Sequence, residues 1–140
     1  MTLTVRIITP ERSLPQLAAD HITLPAFDGE VGIRTGHAAF VCLLGTGVMR
    51  VKSQSRADVA MAVKGGVAQV DRDTVTVLAE SAIEVDRISE NDLVKRLEKL
   101  VAGTYDDPLD LAKARAEAHW LVTQLKLAGK SVPDVSRLGI

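Results

Sequence analysis

Residues 27–47 read FDGEVGIRTGHAAFVCLLGTG, and this stretch decides the fold. It holds five of the ten glycines in the chain. Glycine adopts backbone angles that side chains forbid, so glycines at this spacing indicate tight turns between short strands. The charged groups inside it are Asp28, Glu30 and Arg34, and His37 sits among them. Polar loops on an apolar scaffold commonly carry binding surfaces, so this stretch is the first candidate for a functional site.

The composition is that of an ordinary globular chain. The 140 residues are 46% hydrophobic and 25% charged, with a formal net charge of -1 at pH 7. That balance gives no overall basic surface for nucleic acid. The single cysteine excludes an intramolecular disulfide and a cysteine-cluster metal site. The apolar runs are too short to span a bilayer and the N-terminus lacks the layout of a signal peptide. We therefore expect a cytosolic protein, or one that joins a membrane complex from the aqueous side.

Residues 1–87 are predicted to form a β-sandwich domain of about ten short strands. From Leu3 to Ile7, apolar and polar residues alternate with the two-residue period of a half-buried strand. A second strand is predicted at Ser13–Ala18, and a third at His21–Leu24, stopped by Pro25 because proline cannot donate to a ladder. The later strands are predicted near 30–33, 40–44, 48–52, 58–63, 67–70, 74–78 and 82–85.

Residues 88–140 are predicted to form an antiparallel two-helix hairpin with a short tail. Ser89, with an aspartate three residues later, resembles a capping box at the start of a helix that Gly103 ends. Asp107-Pro108 suits the start of a second helix, since aspartate is a good N-cap and proline fits the first helical position. Gly129 is well placed to end it.

The apolar stripe of the second helix is half alanine, so it buries little area. We infer a hairpin that docks weakly and can move; a permanently docked hairpin with charges that keep it soluble is the alternative. Four cations lie off the stripe: Lys113, Arg115, Lys126 and Lys130. Residues 131–140 show no period and are predicted to be a loose or partner-dependent end.

No residue pattern supports catalysis or a cofactor. Cys42 lies in an apolar run, where a cysteine is usually a small core hydrophobe. The conceivable metal cluster is His37 with Asp28 and Glu30, but histidine pairs at metal-binding spacing are absent from the sequence. The glycines of residues 29–36 lack the lysine and the following helix of a phosphate-binding loop. We expect no catalytic residues, no cofactor and no metal.

Five segments follow one another in the order of a known family. They are Ile7–Arg12, Leu24–Ile33, Gly36–Ala38, Gly65–Val70 and Val75–Glu80. Together they resemble the epsilon subunit of bacterial and chloroplast-type F-type ATP synthases, the counterpart of the mitochondrial delta subunit. The resemblance covers nearly all of the predicted sandwich, and the helical hairpin fits the family's two-part layout.

The resemblance implies a non-catalytic rotor subunit bound to the gamma subunit at the foot of the central stalk. It implies that Glu30, Val31, Gly32 and His37 contact the membrane c-ring. The chain would then lie peripherally on the cytoplasmic face of an energy-transducing membrane, a bacterial inner membrane or a thylakoid, and associate with it through the complex.

The resemblance also implies regulation by the hairpin. Extended along gamma, the second helix would meet acidic segments of the alpha and beta subunits and inhibit ATP hydrolysis. Lys113, Arg115, Lys126 and Lys130 are the residues that would serve this contact.

The chain departs from the family at two points. Thr35-Gly36 stands where the family often has Pro-Gly, so the turn keeps its glycine and loses some rigidity. Some bacterial members bind ATP through an Ile/Leu-Asp-x-x-Arg-Ala motif, and here Ser89 and Glu90 replace its arginine and alanine. Since a carboxylate repels phosphate, we predict no tight ATP site.

The alternative is a free-standing β-sandwich module that binds a small ligand, with the helices as a fixed lid. It predicts a monomer with a concave apolar pocket and no large partner. The scarcity of aromatic residues, 3% of the chain, speaks against it because such residues usually line ligand pockets.

Overall fold

Ten short strands are followed by two helices, which confirms the predicted α+β fold of a sandwich and a hairpin. The computed structural model describes residues 2–140, and its helices are α1 (Glu90–Ala102) and α2 (Pro108–Leu127). The strands are β1 (Leu3–Ile8), β2 (Leu17–Ala19), β3 (His21–Ala26), β4 (Gly29–Arg34), β5 (Phe40–Leu43), β6 (Thr46–Lys52), β7 (Val59–Lys64), β8 (Val67–Asp71), β9 (Thr74–Leu78) and β10 (Ser81–Glu84).

The strands form two five-stranded sheets with a common core. One sheet has the order β2-β1-β9-β8-β5 and the other the order β10-β7-β6-β3-β4. Neighbouring strands are antiparallel except β1 and β9, which are parallel. Successive side chains of a strand point to opposite faces, so the inward residues of both sheets meet in one apolar layer. Its fully buried members include Leu3, Ile22, Met49, Met61 and Val75.

Two predicted strands have wrong bounds next to a proline. In place of a strand at 13–18, β2 begins only at Leu17, after Pro15, and Ser13 makes an isolated bridge. Pro15 has no N–H to give to a ladder. β3, in contrast, continues through Pro25 to Ala26. β3 pairs with β6 only over its first half, so the missing N–H of Pro25 breaks no hydrogen bond to β6. The Pro25 carbonyl accepts a hydrogen bond from the Gly45 N–H at 2.8 Å.

Two turns of the sandwich depend on the left-handed backbone region. The β8–β9 hairpin turns at Arg72 and Asp73, whose φ angles are 51° and 59°. Two successive residues of this kind form the type I′ turn that matches the twist of a hairpin. Between β7 and β8, Gly66 has φ +102°, and a Cβ there would overlap the Leu78 carbonyl oxygen. No other residue fits this position.

Helix α1 begins after Ser89, but the predicted capping box does not form. The Ser89 side chain makes no hydrogen bond to the helix N-terminus. The residue at the third helical position is Asp92, whose side chain is one methylene shorter than the glutamate that reaches back in a capping box. Its charge, with that of Glu90, still favours the positive end of the helix dipole. Gly103 ends the helix as predicted, in extended conformation with φ -70°.

Helix α2 has the predicted start and stop. The Asp107 side chain accepts a hydrogen bond from the Leu109 N–H at 2.8 Å, and Pro108 takes the first helical position. At the other end, Gly129 has φ +71°. Its N–H and that of the next residue donate to carbonyls of the last turn, which is a Schellman motif.

The two helices pack side by side in opposite directions. The Lys130 Nζ beyond the end of α2 lies 3.8 Å from the Glu90 carboxylate at the start of α1. Midway, Arg96 and Glu117 form an ion pair. The buried cluster formed by the two helices and the C-terminal turn is mainly leucine: Leu93, Leu97, Ala118, Leu121, Leu125 and Leu138.

The predicted loose end is wrong, because the C-terminal segment packs on the hairpin. Residues 136–138 form a short 3-10 turn, and Leu138 is only 2% exposed. The Arg115 guanidinium donates to the Leu138 carbonyl. Arg137 donates to the Val101 carbonyl in the last turn of α1 at 3.0 Å. A single turn has no periodicity for a sequence pattern to reveal.

The described residues divide into two compact units, one reaching to Glu84 and the other Val85–Ile140. The sandwich forms the first and the hairpin with its tail forms the second. Within residues 2–140, neither helix is both long enough and apolar enough to cross a membrane.

Candidate functional site

The glycine-spaced stretch supplies an outer edge of both sheets. β4 is the last strand of one sheet and β5 the last strand of the other. β3 and β4 are joined by a two-residue turn, Phe27-Asp28, between the paired residues Ala26 and Gly29. An edge strand has unpaired backbone groups on one side, so these are the strands that a partner can reach.

A β-turn between β4 and β5 carries His37. The His37 N–H donates to the Arg34 carbonyl at 3.2 Å, and Gly36 has φ +80°, as the third position of a type II turn requires. The Gly36 N–H donates to the Asp73 carboxylate at 2.8 Å. Thr35 gives the turn less rigidity than a proline would, and the hydrogen bond to Asp73 supplies some of it instead.

The four residues predicted to contact the c-ring lie on two sides of β4. Glu30 and Gly32 point outward and are exposed, whereas Val31 is half-buried and packs against the core. Gly32 and His37 line one open hollow of about 370 Å³. Strand alternation puts Glu30 on the same outward face of β4 as Gly32, and the hollow joins Gly32 to His37. We call the surface of Glu30, Gly32 and His37 the polar edge; Val31 faces the other way.

His37 is held by its own loop. Its Nδ1 lies 2.8 Å from the Ala38 carbonyl, and its ring lies 5.3 Å from that of Phe40. A hydrogen bond from Nδ1 to a carbonyl leaves Nε2 as the ring nitrogen that can meet a partner.

Beside the polar edge lies an apolar surface that the sequence pattern conceals. Phe27 is 79% exposed, and Val41 and Leu43 are each 64% exposed. We call these three residues the apolar patch; they border a groove of about 450 Å³. In β5 every residue is apolar, so no alternation marks which side chains face the core. Phe40 and Cys42 take the inward positions, which leaves Val41 and Leu43 outside.

Cys42 packs against the core, as the sequence predicts, although it is only half-buried. Burial raises the pKa of its thiol, and Asp28 adds to this, while a hydrogen bond with the Ala68 backbone opposes it. A raised pKa reduces the thiolate fraction at neutral pH, which makes the residue a poor nucleophile.

The four cations predicted to contact alpha and beta are all exposed in the hairpin. Two of them already have partners in the hairpin itself. Arg115 donates to the Leu138 carbonyl of the tail, and Lys130 pairs with Glu90. Lys113 and Lys126 lie on the exposed surface of α2.

Residues 2–85 match the family model described as the β-sandwich domain of the ATP synthase delta/epsilon chain. The chain belongs to the ATP synthase delta/epsilon chain family. The ATP synthase epsilon chain of Synechococcus sp. strain JA-2-3B'a(2-13) is 39% identical over 125 residues, which cover 83% of this chain and 90% of that relative. This alignment is longer than the sandwich, so the similarity to the epsilon chain also includes residues of the helical hairpin.

Solved structures share the fold of this delta/epsilon chain. A chain of the Euglena gracilis mitochondrial ATP synthase, in an assembly of OSCP, F1 and c-ring, superposes with a TM-score of 0.77 and 22% identity. The superposition covers 91% of this chain and 81% of the Euglena chain. A chain from the central stalk and c-ring of the Tetrahymena thermophila mitochondrial ATP synthase gives a TM-score of 0.62 and 12% identity, over 91% and 97% of the two chains.

A delta/epsilon chain is a subunit of the ATP synthase and not its catalyst. Membership in this family favours a subunit over the alternative of a free-standing ligand-binding module. Among residues 2–140, no three His, Cys, Asp or Glu side chains come together as a metal site requires. His37, Asp28 and Glu30 therefore do not form the cluster considered from the sequence.

Proposed function

We propose that the chain is a rotor subunit in the central stalk of a rotary F-type ATP synthase, where it couples the gamma subunit to the c-ring and inhibits ATP hydrolysis through its hairpin. One observation carries the proposal: the polar edge and the apolar patch are two chemically different surfaces on one glycine-spaced stretch. A coupling subunit needs two such surfaces for two partners. The epsilon chain name of the relatives and the central-stalk assemblies of the similar folds support this placement.

The apolar patch is the surface we assign to the gamma subunit. Three large exposed apolar side chains on adjoining segments form a contiguous patch, which in soluble proteins typically marks a protein interface. Aromatic residues such as Phe27 are enriched at the centres of interfaces because they bury a large area.

The polar edge is the surface we assign to the c-ring. Glu30 is exposed on β4, and the bond of His37 Nδ1 to the Ala38 carbonyl fixes the His37 ring on its turn, so the ordering cost of binding falls mainly on the Glu30 side chain. Val31 supports this surface from behind by packing on the core, and Gly32 completes it. Membrane association would then be indirect, through the ring, on the cytoplasmic face of a bacterial inner membrane or on a thylakoid.

The hairpin is the element we assign to the alpha and beta subunits. Lys113 and Lys126 are exposed and ready to meet acidic segments. Arg115 and Lys130 must first leave Leu138 and Glu90. Inhibition by all four cations therefore requires the tail and the helix ends to separate.

The test is affinity purification of the tagged chain from gently solubilised native membranes. We expect recovery of gamma, alpha, beta and ring subunits. The double variant Phe27→Ser/Val41→Thr should lose gamma, whereas Leu78→Thr, an exposed leucine on β9 outside the patch, should retain it. Equal recovery of gamma with both variants would overturn the assignment of the patch.

The same purification separates the remaining assignments. Glu30→Ala/His37→Ala should lose the ring and keep gamma, with unchanged circular dichroism of the free chain. Lys113→Ala/Lys126→Ala should assemble normally and raise ATP hydrolysis by the complex. If hydrolysis is unchanged and the ring is retained, the coupling and inhibitory roles are wrong although family membership stands.

The proposed regulation does not use ATP bound to this chain. Ser89 is the N-cap of α1 and Glu90 its first residue, so a carboxylate occupies the place that the ATP-binding motif gives to alanine. Isothermal titration of the full chain with ATP should show no binding at about 1 μM affinity or tighter. Micromolar binding would contradict this expectation.

A further inference from the structure

Three neighbouring strands place cationic residues opposite one another on the outer face of their sheet. In the strand register, His21 of β3 pairs with Arg34 of β4 on one side and with Lys52 of β6 on the other. Directly opposite side chains lie about 5 Å apart, and like charges at that distance are destabilising. Protonation of His21 between Arg34 and Lys52 therefore costs stability unless something anionic shares the row.

One end of the row opens into the hollow of about 370 Å³ beside the polar edge. Its lining residues are His21, Gly32, Arg34, Thr35, Gly36 and His37, a set without a carboxylate. Gly32 forms its floor. A Cβ at Gly32 would lie 3.1 Å from His21 Nε2, so the imidazole rests over the glycine backbone. Gly32 has no positive φ, and the close approach of His21 is the reason for a glycine inside a strand.

Three nitrogen-bearing side chains line this hollow: Arg34, His21 and His37. Arg34 supplies a planar fork of N–H groups. His37 Nδ1 bonds to the Ala38 carbonyl, so its Nε2 is an acceptor in the neutral ring and a donor in the protonated ring. One carboxylate lies next to the hollow, that of Asp73, and it already accepts a hydrogen bond from the N–H of the lining residue Gly36. A guanidinium fork beside two imidazoles suits the several oxygens of a phosphate better than the two oxygens of a carboxylate.

We propose that the hollow lined by His21, Arg34 and His37 binds a phosphate group, either free phosphate or the headgroup of an anionic phospholipid. Arg34 holds two oxygens through its fork, and the rings of His21 and His37, in their protonated forms, donate to the others. The site goes beyond the proposed rotor function: Arg34 and His21 have no part in the assigned ring contact, although Gly32 and His37 belong to both.

Protonation of His21 adds a positive charge and a second donor beside the bound phosphate, which strengthens binding. The charged groups that face His21 are Arg34 from β4 and Lys52 from β6. Burial and then these two cations lower the pKa of His21. A bound phosphate adds negative charge next to the ring and therefore raises that pKa.

The experiment is a titration of the full ¹⁵N-labelled chain with inorganic phosphate, at constant ionic strength maintained with chloride. We expect saturable shifts of the Gly32, Arg34 and Gly36 amides with a Kd of about 1 mM or tighter near pH 6. The pKa of His21 should rise in the presence of phosphate. Arg34→Gln should weaken binding at least about tenfold, the effect of losing a charged hydrogen-bonding partner.

The matched control is Arg6→Gln, which removes an exposed arginine from β1 in the other sheet and should leave the affinity unchanged. Vesicles of phosphatidylglycerol, compared with phosphatidylcholine, distinguish the sources. Arg34-dependent sedimentation with phosphatidylglycerol identifies the headgroup, and phosphate binding without sedimentation identifies free phosphate. Shifts that do not saturate, or that are equal in both arginine variants, overturn the site. That outcome would leave the proposed ring contact standing, because assembly with the ring is measured separately.

Discussion

The Asp73 carboxylate accepts a hydrogen bond from the Gly36 N–H at 2.8 Å, across 37 positions of the chain. It ties the β8–β9 hairpin to the turn that presents His37. Asp73 itself has φ 59°, a conformation that aspartate and asparagine tolerate better than most residues. One side chain thus supports its own turn and positions another.

Replacing Asp73 with alanine should destabilise the sandwich by about 1–2 kcal/mol, because the Gly36 N–H loses its acceptor and alanine is disfavoured at positive φ. Asp73→Asn keeps an acceptor oxygen and the tolerated φ, so it should lose less than half as much. Urea unfolding measures both variants, and the His37 amide shift should move only in the alanine variant. Equal losses in the two variants would contradict this account, because asparagine keeps both the acceptor oxygen and the tolerated φ.

Gly66→Ala should cost about 3 kcal/mol or more, because the new Cβ would overlap the Leu78 carbonyl oxygen and that backbone must shift. Gly129→Ala is the control: its φ is also positive, but no atom lies within 4 Å of the added carbon. Its cost should be about 1 kcal/mol, for the backbone strain alone. Thermal unfolding of both variants tests this. Similar losses would contradict the proposed overlap.

Leu138→Ala should loosen the hairpin, since a leucine that is 2% exposed leaves a cavity when truncated. The expected cost is about 2–4 kcal/mol for the helical unit. Amide hydrogen exchange at Leu97 and Leu121 reports it without relying on global unfolding. Ile140→Ala, at a residue that is 47% exposed, should leave exchange unchanged. Unchanged exchange in the Leu138 variant would mean that the tail does not secure the helices.

His21 should make stability depend on pH in a known direction. Burial, and then Arg34 and Lys52, lower its folded-state pKa below its value in the unfolded chain, near 6.5. The unfolded chain therefore binds the proton more readily, so stability is full above about pH 6.5 and falls as the pH drops through the folded-state pKa. In chloride buffer, the loss between about pH 7.5 and pH 5 should be smaller in His21→Gln than in the parent. His119→Gln, at an exposed position of α2, is the control variant. A parent-like loss in His21→Gln would exclude this linkage.

Local sequence signals were enough for the strand count and the helix limits. Glycine spacing predicts the turns of residues 27–47. Asp107-Pro108 and Gly129 predict the ends of α2, because helix capping depends on the residue types at the helix ends themselves. The site depends on contacts between distant segments, and these were not predictable. Val41 and Leu43 become exposed only because β5 ends its sheet, and Leu138 is buried only because two helices present a groove to it.

The parallel pairing of β1 with β9 also sets the order in which the sandwich can be completed. β1 lies between β2, a strand of three residues, and β9, which begins at Thr74. During synthesis the first strand is therefore left with one short neighbour until residues 74–78 have emerged. Such long-range closure slows folding. A chain interrupted before β9 would lack a finished sheet to offer any partner, so synthesis must pass Leu78 before the sandwich is available for assembly.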